Sequence, residues 1–164
     1  ENGVEKVSIN SAFHSNKDLI NDIAMKYGSQ SAVVSIDVKK VKDTHKVFIS
    51  NGKIMIKEDI FDLIKRAEDS GAGEIILTSI DNEGMQCGYD TEFYKKIQNH
   101  VSIPIIAHGG CKNTQCFENL FEETNISTAA ASSFFVYFGS RNAVLINYPD
   151  IKKIDSLMEK YKIL

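Results

Sequence analysis

Strand and helix signals alternate along this sequence, and that alternation limits the fold class before any single residue is weighed. Glu5-Lys6-Val7-Ser8-Ile9-Asn10 reads as a strand. Leu19, Ile20, Ile23, Ala24 and Tyr27 follow at helical i, i+3, i+4, i+7 spacing, closed by Gly28. Ser31 to Asp37 is a second strand, and Glu58 to Ser70 a helix with Ile60, Phe61, Leu63, Ile64 and Ala67 on one side. Glu74 to Thr78 is a third strand, Thr91 to His100 a short helix, Ile103 to His108 a fourth strand. Phe117 to Glu123 is another helix, and Ser127 to Ser133 a fifth strand rich in small residues. Strands separated by helices build βαβ units and a parallel sheet. Between Val38 and Lys57 the pattern changes. There Lys46 to Ser50 followed by Asn51-Gly52 predicts a small β-hairpin on the loop.

Five such units fall short of the eight that close a (β/α)₈ barrel. The expectation is an α/β chain, residues 1–164 forming one domain that is part of a (β/α)₈ TIM barrel. The sequence opens on Glu1 rather than Met, a few residues before a buried strand, so it reads as a piece of a longer protein with three units missing before it. Two unpaired sheet edges in such a piece favour self-association.

With 164 residues, 43% of them hydrophobic and 25% charged, the composition suits a packed globular domain. A net charge of -3 and no basic tract argue against nucleic-acid binding. The apolar runs are strand-sized, short of the roughly 20 residues of a membrane span, and no signal-peptide pattern opens the chain. Cys87, Cys111 and Cys116 are odd in number, lack a CxxC spacing and have no histidine at finger spacing. That argues against zinc or a disulfide framework and for a reducing, cytoplasmic setting. No metal or cofactor is implied.

The strand ends carry the chemistry. Ile103-Pro104-Ile105-Ile106-Ala107-His108-Gly109-Gly110 is a buried strand ending in glycines, where successive backbone N–H groups can form a concave anion nest. Asp37 terminates an apolar strand, a position at the carboxyl rim suited to general acid–base work. Asn10, Thr78 and Ser79 end two other strands and are candidates to bond substrate hydroxyls or phosphates. Lys6 lies four residues before Asn10 and Glu74 four before Thr78, so each shares a strand face with its rim residue. If the rim residues point into a barrel, Lys6 and Glu74 meet at its floor, where such charges require pairing.

Lys6 to Ala12, Gly28-Ser29-Gln30 running into Ser35-Ile36-Asp37, Gly71 to Asp81, Gly88-Tyr89-Asp90 and Ile105 to Gly110 together resemble the cyclase subunit of imidazole glycerol phosphate synthase, in order and at matching spacing. The resemblance implies strands four to eight of a (β/α)₈ barrel that takes ammonia from a glutaminase partner. It closes an imidazole ring on a bis-phosphorylated ribulosyl-formimino aminoimidazole substrate, a lyase reaction of histidine biosynthesis. It makes Asp37 one of two catalytic aspartates, the other lying on a strand this sequence lacks, so this piece alone is expected to be inactive. Gly109, Gly110, Ser132 and Ser133 are expected to form one phosphate cradle, and Gly84 with Asn10 and Ser11 a second. Lys6 and Glu74 become an ammonia gate, and Glu5 a carboxylate facing the glutaminase. Two positions depart from the family pattern: His108 stands where serine is usual and Glu83 where aspartate is. The segment Gly139 to Pro149 departs too. Together they bring in a second acceptor, since paralogues of surface-polysaccharide biosynthesis pass ammonia toward amidino-sugars. A third reading is a non-catalytic phosphate-binding module.

Overall fold

A computed structural model describes residues 3–139, 141–146 and 148–162. Five parallel strands carry the framework: β1 (Val7–Ile9), β2 (Ala32–Val41), β5 (Glu74–Ser79), β6 (Ile105–His108) and β7 (Thr128–Ala130), in spatial order β1-β2-β5-β6-β7. Helices follow the strands: α1 (Ala12–Ser15) and α2 (Leu19–Tyr27) after β1, and α3 (Ile60–Asp69) before β5. Next come α4 (Thr91–Ile97) before β6, α5 (Thr114–Glu123) before β7 and α6 (Ser133–Val136) after it. This is the expected α/β arrangement, a partial (β/α)₈ barrel. The five strands do not close on themselves; among the described residues β1 pairs only with β2 and β7 only with β6.

Side-chain alternation explains how the sheet sits. Ala32, Val34, Ile36 and Val38 are buried along β2, and Ile75 and Leu77 along β5. These meet Ile20 of α2, Leu63, Ile64 and Ala67 of α3, and Phe93, Tyr94 and Ile97 of α4 in one core. The intervening residues Ser35, Asp37, Glu74, Ile76, Ile106 and His108 are only half buried. Helices therefore cover one face of the sheet, and the other carries the polar residues.

Strand bounds differ from the sequence reading in informative ways. Ser31 lies in a 3₁₀ turn (Ser29–Ser31), and β7 stops at Ala130 because Ser133 already opens α6. Strand β2 runs on past Asp37 to Val41, where its edge leaves β1 and pairs antiparallel with β3 (Thr44–Ile49). The Asn51-Gly52 hairpin forms as the sequence indicated, joining β3 to β4 (Ile54–Met55) through Ser50, Asn51 and Gly52, all at positive φ. The three-stranded ribbon is fastened to the rim by His45, whose ring stacks 3.8 Å from Phe93 and whose Nε2 lies 3.1 Å from an Asp90 oxygen.

Beyond β7 the chain adds a second hairpin, β8 (Tyr137–Phe138) with β9 (Ala143–Val144), and a helix, α7 (Ile151–Tyr161). Ser140 and Asn147, within the segment that departs from the family pattern, lie outside the described residues, as does Glu1. Tyr161 and Lys160 of α7 both bond Glu122 of α5, at 2.6 and 2.8 Å. No helix among the described residues is long and apolar enough to cross a membrane.

Candidate functional site

Parallel register aligns three of the candidate residues in one row. Asp37 is the Cα partner of Thr78, and Thr78 that of His108. Paired residues of parallel strands project to the same face, so all three stand on the face the helices leave open. Asn10, one residue past β1, reaches the same place and stands close enough to Asp37 to favour its ionised form. Burial pushes the Asp37 carboxyl above its ordinary range, against the opposing pull of Asn10 and the charge of His108.

A polar chain runs from this row toward β7. His108 Nδ1 lies 3.1 Å from Thr78 Oγ1, and its Nε2 lies 3.4 Å from a Glu83 oxygen. The other Glu83 oxygen accepts a bond from the Ser132 hydroxyl. The loop after β5 is thereby drawn to β7. Gly84, next to Glu83, is exposed, and a Cβ there would meet nothing within 4 Å. On the β1 side, Ser11 donates to the Asn10 side chain at 3.1 Å and accepts from the Ser50 N–H of the ribbon at 3.0 Å. So Asn10, Ser11, Asp37 and the ribbon form one cluster, and Thr78, Glu83, His108 and Ser132 another, adjoining where Asp37 pairs with Thr78. Ser79 and Ser133 are buried.

Gly109 and Gly110 have φ near 100° and 98°, backbone that only glycine takes without strain. They are also packed hard: a Cβ would lie 2.5 Å from Ser79 O at Gly109 and 2.1 Å from Gly88 O at Gly110. Gly88 N–H donates to Gly110 O at 2.8 Å, so the loops after β5 and β6 are stitched together beside the row.

At the opposite end of the strands, Lys6 and Glu74 form an ion pair. Ser8 pairs with Val33 and Val33 with Glu74, so Lys6, two residues before Ser8, lies on the open face with Glu74. Their side chains are 49% and 24% exposed. Glu5 is exposed. Among the described residues no group of three or more His, Cys, Asp or Glu side chains is gathered to hold a metal ion.

One residue central to this geometry has no signal in the sequence beyond its place on the apolar side of a helix. Tyr94 of α4 is fully buried; its hydroxyl donates to Leu77 O at 2.8 Å and accepts from His108 N–H at 3.1 Å.

The family described as histidine biosynthesis protein matches residues 1–141. The chain belongs to this family. This family member is 45% identical over 154 residues to a Pseudomonas aeruginosa protein named putative imidazole glycerol phosphate synthase subunit hisF2, covering 93% of the chain and 61% of that relative. A Leptospira borgpetersenii protein, named putative imidazole glycerol phosphate synthase subunit HisF, is 44% identical over 150 residues, 90% of the chain and 59% of the relative. The imidazole glycerol phosphate synthase subunit HisF of Flavobacterium psychrophilum is 44% identical over 135 residues, 82% of the chain and 54% of the relative. The histidine biosynthesis family member in hand thus spans little more than half the length of these relatives.

Proposed function

We propose that this chain supplies part of the active site of an ammonia-dependent cyclase of the imidazole glycerol phosphate synthase type. In this reading ammonia comes from a glutaminase subunit, and the substrate is a ribulosyl-formimino aminoimidazole with phosphate at both ends. The observation that carries the proposal is the half-buried carboxyl of Asp37, its affinity for protons raised, in one row with Thr78 and His108. A carboxyl so poised takes and returns a proton near neutral pH more readily than an exposed one.

The remaining roles follow from reach. Asn10 orients Asp37. Thr78 and His108 contact the substrate between its ends. Gly109, Gly110, Ser132 and Ser133 present backbone N–H and hydroxyl donors to one phosphate; Asn10, Ser11 and Gly84 serve the other, and Ser79 and Glu83 brace the loop between. Lys6 and Glu74, at the far end of the same face, gate the entry of ammonia beside Glu5 and the glutaminase.

A second acceptor is favoured by one specific feature, the His108–Glu83 pair in the row. It places an imidazole in the same row as Asp37, one strand beyond Thr78, at a position where the sequence resembles surface-polysaccharide paralogues. The test is ammonia-dependent turnover of the bis-phosphorylated substrate by the chain joined to the preceding segment of the Pseudomonas aeruginosa relative, with Asp37→Asn as control. Turnover that the control abolishes supports the cyclase. A folded protein that binds phosphate and does not turn over sinks it in favour of the second acceptor or a binding module.

A further inference from the structure

The loop after β6 and the first turn of α5 carry one cysteine each, and none of the roles above employs them. Cys111 directly follows Gly110 and is 4% exposed; Cys116 is the third residue of α5 and is partly exposed. The two thiols lie close enough to influence each other's ionisation. Both also meet the short connection between them. Lys112 N–H donates to Cys116 Sγ at 3.4 Å, Cys116 Sγ lies 3.5 Å from the Asn113 side-chain amide, and Cys111 Sγ lies 3.6 Å from Asn113 O.

Cys116 opens onto a polar cavity of about 400 Å³, whose walls include Lys112, Asn113, Glu123 and the exposed Cys87. Small polar oxidants therefore have a route to the Cys116 sulfur, with Cys111 buried behind it. We propose that Cys116 and Cys111 form a peroxide-reactive dithiol, in which a hydroperoxide oxidises Cys116 and Cys111 closes a disulfide onto it.

The local electrostatics favour that order. The thiolate is the reactive form of cysteine. The neighbouring Cys111 thiol, helped by the Lys112 N–H and the Lys112 charge, draws the Cys116 thiol down into the acidic range; the same proximity, together with burial, pushes Cys111 up. The Cys116 thiolate attacks one peroxide oxygen, the O–O bond breaks, and a sulfenic acid forms with release of hydroxide. The Cys111 sulfur then attacks the Cys116 sulfur; the S–S bond forms, the S–O bond breaks, and the oxygen leaves as water with the Cys111 proton. The two thiols lose two electrons and two protons, and the peroxide becomes two waters.

Mass spectrometry of the reduced 164-residue chain, treated with one equivalent of hydrogen peroxide and digested with trypsin, tests this directly. Cleavage after Lys112 separates the two cysteines, so the expected product is peptide 97–112 joined to peptide 113–141, lighter by two hydrogens than the sum. Cys111→Ser should stall at a Cys116 sulfenic acid that dimedone captures. Without any substitution, a brief pulse of iodoacetamide at pH 6 should label Cys116 on the order of tenfold or more faster than the more exposed Cys87. Faster labelling of Cys87, a peroxide product linking Cys87 to either partner, or no 97–112 to 113–141 link would each overturn the proposal.

Discussion

The phenol of Tyr94 binds two neighbouring strands at once: it donates to Leu77 O of β5 and accepts from His108 N–H of β6. The backbone that presents His108 is therefore held from behind, through the core, rather than from the solvent side. Tyr94→Phe leaves both backbone groups without this buried partner and should cost about 1–3 kcal/mol. Urea unfolding should show a lower midpoint with unchanged slope.

Gly110 is fixed by its neighbour as much as by its φ. Gly110→Ala drives a methyl group into Gly88 O and separates the loops after β5 and β6. The expected loss is more than about 2 kcal/mol, read as a lower thermal midpoint, with weakened inorganic phosphate binding by calorimetry.

Asp37→Asn should lower cyclase turnover on the order of 10²–10⁴-fold while leaving the fold intact. Its stability effect has a definite sign. Because the folded state raises the Asp37 proton affinity, the ionised carboxylate disfavours folding at neutral pH. The variant should therefore match or exceed the parent in thermal midpoint at pH 7, and the difference should vanish as the pH falls below the ordinary aspartate value.

Glu68 is one of several carboxyls that the fold holds low. Lys65 donates to one of its oxygens at 2.7 Å, and the Ser102 N–H and hydroxyl donate to the other at 2.7 and 2.6 Å. These bonds draw the Glu68 carboxyl down to about 2 from an ordinary 4.5, with Lys65 the largest cause. A depressed folded value means that the contribution is complete above pH 4.5 and is lost as the pH falls toward 2. Glu68→Gln should show a smaller drop in urea midpoint between pH 6 and pH 3 than the parent.

The Lys6–Glu74 pair is half open to solvent, so a double-mutant cycle with alanine should give a coupling of about 1 kcal/mol or less. A gate has a separate signature. Under the proposed function, Lys6→Ala in the chain joined to the preceding segment of the relative should leave turnover with free ammonia near the parental rate and alter turnover fed by glutamine through a glutaminase subunit. Equal effects on both would remove the gate assignment.

Much of this was legible because parallel strands advertise themselves. Ile75, Leu77, Ile105 and Ala107 must be apolar to face the helices, and the polar residues Asp37, Thr78 and His108 stand out where each run stops. The Asn51-Gly52 turn was readable because its backbone favours those residues. The extension of β2 was not: Lys39, Lys40 and Val41 are exposed and belong to the strand only through pairing with β3, a long-range condition that no local pattern states. The β8–β9 hairpin and α7 escaped for a similar reason, since α7 buries no residue fully and is fastened to α5 by Lys160 and Tyr161. The meeting of Glu83 with Ser132, 49 residues apart, is likewise visible only once the strands are side by side.

The exchange of partners along one edge of β2 has a structural consequence. Asp37 is paired at once with Phe48 of the ribbon and with Thr78 of the barrel sheet. It sits where the ribbon joins the sheet. Ribbon and sheet thus share one strand position as their common anchor, and that position carries the half-buried carboxylate.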